Sequence, residues 1–425
     1  MTPPRSSRTP AAAPCCAEYA AVSRRGLLTG ALALAGTSTV VGSAVVRASA
    51  ATVTPAASVL VVLSMRGAAD GLSLVVPHAD PTYYLARPNI AIPSDRLLAK
   101  DGQFGLHPEL ESMLPLWNAG KVAAVHATGL PAPNRSHFAA MEEVEDANPG
   151  STTRVGWLNR LIGTDSDRSP LQGFNMGEGA PPASLYGPED VMGAGDLDRV
   201  QVAGADQWDH DGGRRRSLEA MWKKDGSTLG RAIRSTFSAV DAFAPVHETS
   251  DVPANGATYP DSDLGRAMSA VARVVRGDVG VEVITVDQGD WDMHSDLGTV
   301  EWGRMNRNAR ELAGSISAFF TDLGPLGDKV TLVALSEFGR RVVENANYGL
   351  DHGYGNAMFL AGAGVKGGTY YGTWPGLSED LDSDLLVTTD YRSVLSEVVA
   401  SRFGASTSTV FPGFQREHVG VMQGQ

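Results

Sequence analysis

The chain has 425 residues and a formal net charge of −13, with only two cysteines. Because residues 1–50 carry five arginines and one glutamate, the remainder of the chain carries −17. This acidic balance argues against nucleic-acid binding, which needs a basic patch, and favours solubility. Both cysteines, Cys15 and Cys16, lie within residues 1–50. The rest of the chain can therefore form neither disulfides nor thiolate metal sites.

An export signal is predicted at the N-terminus. Arg24 and Arg25 precede a weakly apolar run over 27–46, and the small residues of 47–50 form an A-x-A cleavage signal. These are the parts of a secretory signal peptide, and the arginine pair indicates the twin-arginine (Tat) route. A membrane anchor is disfavoured because Gly, Ser and Thr dilute the apolar run. We expect residues 1–50 to engage the Tat translocase and to be removed. The mature protein would be extracellular, periplasmic or cell-envelope associated, without a transmembrane helix.

After a linker at 51–57, the predicted elements alternate between strands and helices. The run 58–65 has the continuous hydrophobicity of a buried parallel strand. Further strands are predicted at 121–128, 281–286, 329–336 and 357–361, and helices at 108–119, 137–146, 264–276, 300–323 and 391–403. This alternation predicts an α/β fold with a mostly parallel sheet covered on both faces. We expect a single domain over 58–415.

The middle of the chain, 148–260, is interrupted by Pro, Gly and Asp and is predicted to be an irregular insertion. Within it, short strands are predicted at 183–186 and 200–202, and helices at 215–224 and 229–243. Whether this segment shapes a pocket or covers one is left open by the sequence.

Polar residues with useful chemistry follow several of the predicted strands. The carboxyl ends of parallel strands meet at one edge of a sheet, so these side chains are expected to converge. The candidates are Asp70, Arg135, Ser136, Asp292, His294, Glu337, Asp351 and His352. Carboxylate with imidazole suits Zn²⁺ or Mn²⁺, and carboxylate alone suits Mg²⁺ or Ca²⁺. A divalent metal is therefore the predicted cofactor.

Each candidate also has a structural interpretation. Ser136 could cap a helix, and Asp70 could be only a turn residue. Glu337 could form a salt bridge with an arginine that follows it. His107 and His137 are interpreted as structural histidines.

Short stretches spread along the chain resemble one bacterial family. They are 63–71, 104–108, 135–138, 156–160, 291–294, 336–340, 351–353 and 364–368. The family is the domain-of-unknown-function 1501 family, which is exported by the twin-arginine route and is related to the alkaline phosphatase/sulfatase superfamily. The resemblance implies an alkaline-phosphatase-like, three-layer α/β/α fold with a mostly parallel central sheet. It also implies a metal-dependent, phosphatase- or sulfatase-like hydrolase.

The resemblance to that superfamily suggests roles for the first candidates. Asp70 matches a carboxylate that helps to bind one or two metals. Ser136 stands where those enzymes hold a Ser, Thr or formylglycine nucleophile, and Arg135 beside it would help to hold a phosphate or sulfate. Asp292 and His294 resemble a metal-binding pair with a shorter spacing, although the residues alone are also compatible with a surface loop.

The later candidates match the superfamily less closely. Glu337 stands where those enzymes carry Asp-His, and Phe338 replaces the imidazole. Asp351 or His352 would supply the final metal ligand, and Arg135 or Arg340 would stabilise the transferred group. The implied function is an exported hydrolase of small-molecule or polymer-linked phosphate or sulfate esters. Phe338 favours the alternative, a non-catalytic exported binding or assembly protein on the same scaffold.

Overall fold

A mostly parallel β-sheet organises the fold. The computed structural model describes residues 54–164, 171–202 and 211–424, together with the backbone of 38–41 and 44–47. The strands are β1 (Ser38–Val41), β2 (Ala44–Arg47), β3 (Val59–Met65), β4 (Val75–Val76), β5 (Gly105–Leu106), β6 (Val122–Gly129), β7 (Gly173–Met176), β8 (Val191–Ala194), β9 (Val283–Gln288), β10 (Val330–Leu335), β11 (Asn356–Gly362), β12 (Tyr370–Tyr371) and β13 (Thr389–Asp390). β4 and β5 form a separate small sheet.

The order of the main sheet is β1-β2-β8-β7-β9-β3-β10-β11-β6-β12, with β13 also paired to β6. Neighbouring strands from β8 through β10 are parallel. β11 runs antiparallel to both β10 and β6, so β6 again has the direction of β10. The predicted α/β fold with a mostly parallel sheet is confirmed.

Helices cover both faces of this sheet. They are α1 (Gly71–Leu74), α2 (Pro81–Ala86), α3 (Leu114–Asn118), α4 (His137–Asp146), α5 (Trp157–Ile162), α6 (Gly213–Trp222), α7 (Thr228–Ala242), α8 (Ala244–Glu248), α9 (Asp263–Gly277), α10 (Arg304–Leu323), α11 (Tyr391–Phe403) and α12 (Thr407–Val410). In β3, Val59 and Val61 pack in the core with α9 and α10. Leu60 and Val62 point to the opposite core, which contains α4, α5 and α11. Because successive strand residues face opposite sides, the fully apolar run of β3 is the signature of a sheet buried on both faces.

The middle of the chain differs from its prediction. The segment treated as an irregular insertion, 148–260, contributes β7 and β8 to the central sheet. Residues 183–185 form a 3₁₀ helix rather than a strand, because Pro182 starts a turn that the Leu185 and Tyr186 N–H groups close. Residues 200–202, which the structure describes, do not form a strand either, since Val200 ends another 3₁₀ turn.

The predicted export signal is only partly within the described residues. The arginine pair at 24–25 and the residues 48–50 of the cleavage signal lie outside them. The backbone of β1 and β2 falls in the predicted apolar run and its end, and β2 pairs antiparallel with β8. Within the described part of the chain, every helix is too short or too polar to cross a membrane.

Glu397, in α11, fastens the C-terminal segment to the core. Its carboxylate is fully buried and accepts hydrogen bonds from the backbone N–H groups of residues 419–422. Replacing Glu397 with Gln turns one acceptor oxygen into a donor that faces two N–H groups. We expect a loss of about 2 kcal/mol in the free energy of unfolding, measured by urea denaturation. The exposed Glu417→Gln change should have almost no effect, and equal stability of the two variants would contradict this assignment.

His107 makes the fold sensitive to acid. Burial lowers the pKa of its imidazole from 6.5 to about 4, and Nδ1 accepts a hydrogen bond from Glu109 N–H at 3.1 Å. The unfolded chain therefore takes up this proton first, so the stabilisation is complete above about pH 6.5 and is lost as the pH falls towards 4. Protonation of His107 should therefore lower the free energy of unfolding by up to about 3 kcal/mol between pH 6.5 and pH 4. In urea denaturation at pH 7 to 4, His107→Asn, which keeps a capping acceptor, should reduce the pH dependence. An unchanged pH dependence would show that His107 is not responsible.

Candidate metal centre

Polar loops from neighbouring strands meet at one edge of the sheet. They are the loops that follow β3, β6 and β9, and the connection from β10 to β11. β3, β9 and β10 are parallel, so their carboxyl ends lie side by side. β11 runs in the opposite direction, and the residues before it therefore return to the same edge. The topology thus explains why residues far apart in the sequence come together.

Three imidazoles and one carboxylate converge at this edge. His352 Nε2 lies 3.0 Å from His137 Nε2 and 2.9 Å from His294 Nε2. Asp292 Oδ1 lies 3.2 Å from His294 Nε2 and 3.8 Å from the Nε2 atoms of the other two histidines. Among the described residues, His137, Asp292 and His352 form a group whose ligand atoms all lie within 4.8 Å of one another. Donor atoms in a tetrahedral zinc site are separated by about 3.3 Å, given Zn–N bonds of about 2.0 Å.

The other ring nitrogen of each histidine is held by an oxygen. The Nδ1 atoms of His137, His294 and His352 lie 2.8 Å from Glu337 Oε1, Asp351 Oδ1 and the Arg135 carbonyl oxygen, respectively. A carbonyl or an ionised carboxylate can only accept, so each Nδ1 carries the proton. In the neutral rings, each Nε2 therefore presents a lone pair towards the others. A cation, either a metal ion or an additional proton, must lie between these lone pairs, and this carboxylate–imidazole arrangement is typical of metal sites.

Asp292 is held as a carboxylate. Burial raises the pKa of its side chain, but hydrogen bonds from His294 and His352, when their Nε2 atoms carry the additional proton, and from Arg340 outweigh this and move the pKa well below its usual range. The Arg340 guanidinium donates to Asp292 Oδ1 through Nη2 at 2.7 Å. Conversely, the hydrogen bond to Asp292 raises the pKa of His294 against the effect of burial.

The carboxylates behind the histidines are also ionised. Burial raises the pKa of Glu337, yet the hydrogen bond with His137 reverses the shift and lowers it. The pKa of Asp351 is lowered in the same way, with His294 opposing burial. Arg340 offsets one of the three carboxylates by direct contact with Asp292, and Arg341 acts electrostatically on Asp351, so negative charge still surrounds the imidazoles. A divalent cation would balance this charge.

Arg340 is part of the framework. Its side chain is 1% exposed, and Nε and Nη1 donate to the carbonyl oxygens of Ala68 (2.7 Å) and Leu350 (2.9 Å). Nη2 is directed at Asp292 and at the Gly67 carbonyl oxygen. The expectation that Arg340 stabilises a transferred group is therefore wrong, because its donors are buried and already bound. Arg340 instead ties three of the loops together.

Asp70 is not brought to the cluster. Its carboxylate is buried against Arg87, with contacts of 2.6 Å from Nη1 and 3.0 Å from Nη2. Arg87 also donates to the carbonyl oxygens of Val342 and Arg341. Asp70 thus acts in an ion pair beneath the loops. Glu337 and Asp351 were also predicted as metal ligands. Their carboxylates instead contact the Nδ1 atoms of His137 and His294, on the side of each ring that faces away from the cluster.

Ser136 and Arg135 lie beside the cluster at the start of α4. Ser136 is the N-cap residue, but its side chain makes no capping hydrogen bond, which removes the purely structural interpretation. The Arg135 guanidinium forms an ion pair with Asp384 and is 43% exposed. Its partner Asp384 is only 10% exposed, so the pair joins a half-exposed guanidinium to a mostly buried carboxylate.

The role of His137 was not predicted from the sequence. It was interpreted as structural, yet its Nε2 belongs to the converging group and its ring packs 4.9 Å from that of Phe338. Phe338 also lies 5.1 Å from His352, between centroids, so it supports two of the imidazoles. The available signal was its position, because His137 begins the helix that follows the loop after strand β6, directly after Ser136. An imidazole is therefore present beside the position where Phe338 stands.

The fold and the site define an α/β protein with a histidine-rich metal-type centre at the carboxyl edge of its sheet. Residues 117–397 match the family described as "Protein of unknown function (DUF1501)". The chain belongs to this family, as its sequence resemblance predicted. Among curated proteins, no sequence matches the chain.

Solved structures with a similar fold are distant. The lipoteichoic acid synthase LtaP from Listeria monocytogenes has 9% identity and a TM-score of 0.32, with 75% of this chain and 71% of that one covered. Ps i-CgsB has 9% identity and a TM-score of 0.35, with coverage of 84% and 74%. At these scores the similarity supports no argument about activity.

Proposed function

We propose that the chain is an exported, metal-dependent hydrolase of phosphate or sulfate esters. The observation that carries the proposal is the convergence of three Nε2 atoms on Asp292 Oδ1, with each Nδ1 atom facing an oxygen on the other side of its ring. Such a donor set fits a divalent metal. Three imidazoles favour Zn²⁺ over Mg²⁺ or Ca²⁺, which prefer oxygen ligands, and Mn²⁺ remains compatible.

His137, His294, His352 and Asp292 would hold this metal. When bound, it would supply positive charge for the anionic ester and lower the pKa of the attacking hydroxyl or water. The chain itself contributes the Ser136 hydroxyl, which is free of a capping role. The N-terminus of α4 favours negative charge at the same place, which would help to hold an ester oxygen there.

Arg135 would bind the ester oxygens by leaving Asp384. Its carbonyl oxygen already accepts from His352 Nδ1, so its backbone is fixed, while its half-exposed guanidinium would exchange the Asp384 carboxylate for the ester. A guanidinium can pair with two oxygens of a phosphate or sulfate. This residue would therefore orient the substrate towards Ser136.

The test combines metal analysis with turnover. Purified protein should retain one divalent ion per chain and should cleave 4-nitrophenyl phosphate or 4-nitrophenyl sulfate. Ser136→Ala should lower kcat by at least about a hundredfold without loss of metal. Ser217→Ala, an exposed position on α6, serves as the control. Equal activity of Ser136→Ala and wild type would exclude the nucleophile, and absence of bound metal would exclude the whole proposal.

Export by the Tat route is part of the proposal and rests on the arginine pair and the apolar run alone. A fusion of residues 1–50 to a folded reporter should leave the cytoplasm. Changing Arg24 and Arg25 to Lys should retain it inside. Export of the lysine variant through the general secretory route would contradict the Tat assignment.

A non-catalytic binding or assembly protein is the second candidate. Arg340 is fully occupied as a framework residue, and Phe338 packs where the superfamily has an imidazole. This candidate predicts metal binding or ligand binding without turnover of either aryl ester.

A further inference from the structure

A cavity beside the candidate metal centre has no role in the proposed reaction. Its volume is about 380 Å³, and its lining includes Leu85, Pro88, Asn89, Glu344, Asn345 and Tyr348. Asn345 links the cavity to the centre, because its Nδ2 donates to the His294 carbonyl oxygen at 2.9 Å and lies 3.5 Å from Asp351 Oδ1. Asn345 therefore lines the cavity and also contacts the backbone of His294 and the carboxylate of Asp351.

An exposed aromatic ring, that of Tyr348, lines this cavity and packs against a second one, that of Trp302. Tyr348 is 43% exposed and Trp302 is 46% exposed, and their ring centroids lie 5.6 Å apart. Tyr348 has a φ of +52°, a left-handed conformation that is costly for a residue other than Gly. The Tyr348 carbonyl oxygen accepts from Gly298 N–H at 3.1 Å, which helps to hold the loop in place. Large apolar groups kept in solvent next to a polar site are typical of a binding surface.

The cavity wall carries fixed polar groups as well as apolar ones. The Glu344 carboxylate accepts from the backbone N–H groups of Asn89 (3.1 Å) and Ile90 (2.9 Å). Its negative charge disfavours an anion in the cavity, so the anionic ester group would stay at the metal centre and the neutral part of the substrate would enter the cavity. These wall groups already bond within the protein, because the Asn89 amide donates to Glu344, while the Asn345 amide donates to the His294 carbonyl oxygen and accepts from the N–H groups of Asn347 and Gly349. Their remaining lone pairs and N–H groups would pair with substrate hydroxyls.

We propose that the cavity and the Trp302–Tyr348 pair bind the sugar ring of a carbohydrate phosphate or sulfate. The aromatic rings would contact the apolar face of the sugar, and the carboxylate and amides would contact its hydroxyls. This assignment of substrate class rests on the proposed function for the reaction at the metal centre. Trp302 and Tyr348 are then specificity-determining residues of that reaction.

Steady-state kinetics tests the assignment. With glucose 6-phosphate and glucose 6-sulfate, Trp302→Ala and Tyr348→Ala should each raise KM about fivefold, and their combination more. Ethyl phosphate and ethyl sulfate, which lack a ring, should be unaffected. Leu326→Ala removes an equally exposed apolar side chain just before β10, at the opposite end of the strands, and should change neither class. Equal effects on glucose and ethyl esters, or a preference for octyl phosphate over glucose 6-phosphate, would overturn the proposal.

A binding measurement separates this proposal from the proposed reaction. Titration calorimetry of the full chain with neutral maltotriose should give heat of binding that the Trp302→Ala/Tyr348→Ala variant loses. Sugar binding without ester turnover would uphold the cavity assignment while the reaction fails. Turnover of ethyl esters with no sugar binding and no preference for glucose esters would overturn the cavity assignment while the reaction stands.

Discussion

Replacing His352 with Ala is expected to weaken metal binding more than about a hundredfold. His352 Nε2 is the central donor, because it contacts the Nε2 atoms of both His137 and His294. Its loss removes a ligand and also the atom that brings the other two rings together. Dialysis against a metal-buffered solution, followed by elemental analysis, measures the change. His78→Ala, at a histidine bonded to the Asp101 carbonyl oxygen, is the control.

Variants of the carboxylates that hold the ligand histidines should weaken metal binding less than loss of a ligand does. Glu337→Gln and Asp351→Asn keep the size of the side chains but weaken their hold on His137 and His294. Loss of such a partner usually costs about 10–100-fold in metal affinity. If Glu337→Gln, Asp351→Asn and His352→Ala all bind metal as tightly as wild type, the metal is bound elsewhere and the assignment of the cluster as its site fails.

Replacing Arg87 with Met is expected to reduce the free energy of unfolding by about 3–5 kcal/mol. Arg87 and Asp70 have side chains only 0% and 1% exposed, so the variant leaves a buried carboxylate without its charge partner. Urea denaturation measures this loss. The double variant Asp70→Asn/Arg87→Met should be more stable than the sum of the single changes predicts, because the unpaired charge is gone.

The same variants separate two roles for Asp70. Arg96→Met, which breaks the exposed pair with Glu301, should cost less than about 1 kcal/mol and serves as the control. Asp70→Asn should destabilise the fold but leave the metal content of the folded protein unchanged. Loss of metal in Asp70→Asn comparable to that in Asp292→Asn would return Asp70 to the set of ligands.

The sheet and the edge that bears the site could be predicted from the sequence because they follow from short-range patterns. The apolar runs of β3, β9 and β10 are typical of buried parallel strands, and their carboxyl ends must lie together. Helix α11 begins and ends where its pattern predicted, at Tyr391–Phe403. By contrast, β7 and β8 have only four residues each, too few for a clear period. They pair with each other, and β7 joins the central sheet through β9, which is distant in the sequence.

The assignment of individual side chains at the site could not be predicted in the same way. Asp70 and Asp292 both follow strands, and only the positions of Arg87 and the imidazoles decide which becomes a structural ion pair. No feature of the sequence around Arg87 indicates that its side chain contacts Asp70. Likewise, the orientation of His137 depends on Glu337, which lies 200 residues away in the chain.

The guanidinium of Arg340 has a consequence for how the centre is assembled. It joins the loops after β3 and β9 to the segment before β11 through hydrogen bonds that involve no metal. The donor atoms are thus positioned by the polypeptide itself, before any ion arrives. Removal of the ion with a chelator should accordingly be reversible, with the protein remaining folded and regaining its metal on simple addition. Loading would then need no refolding step.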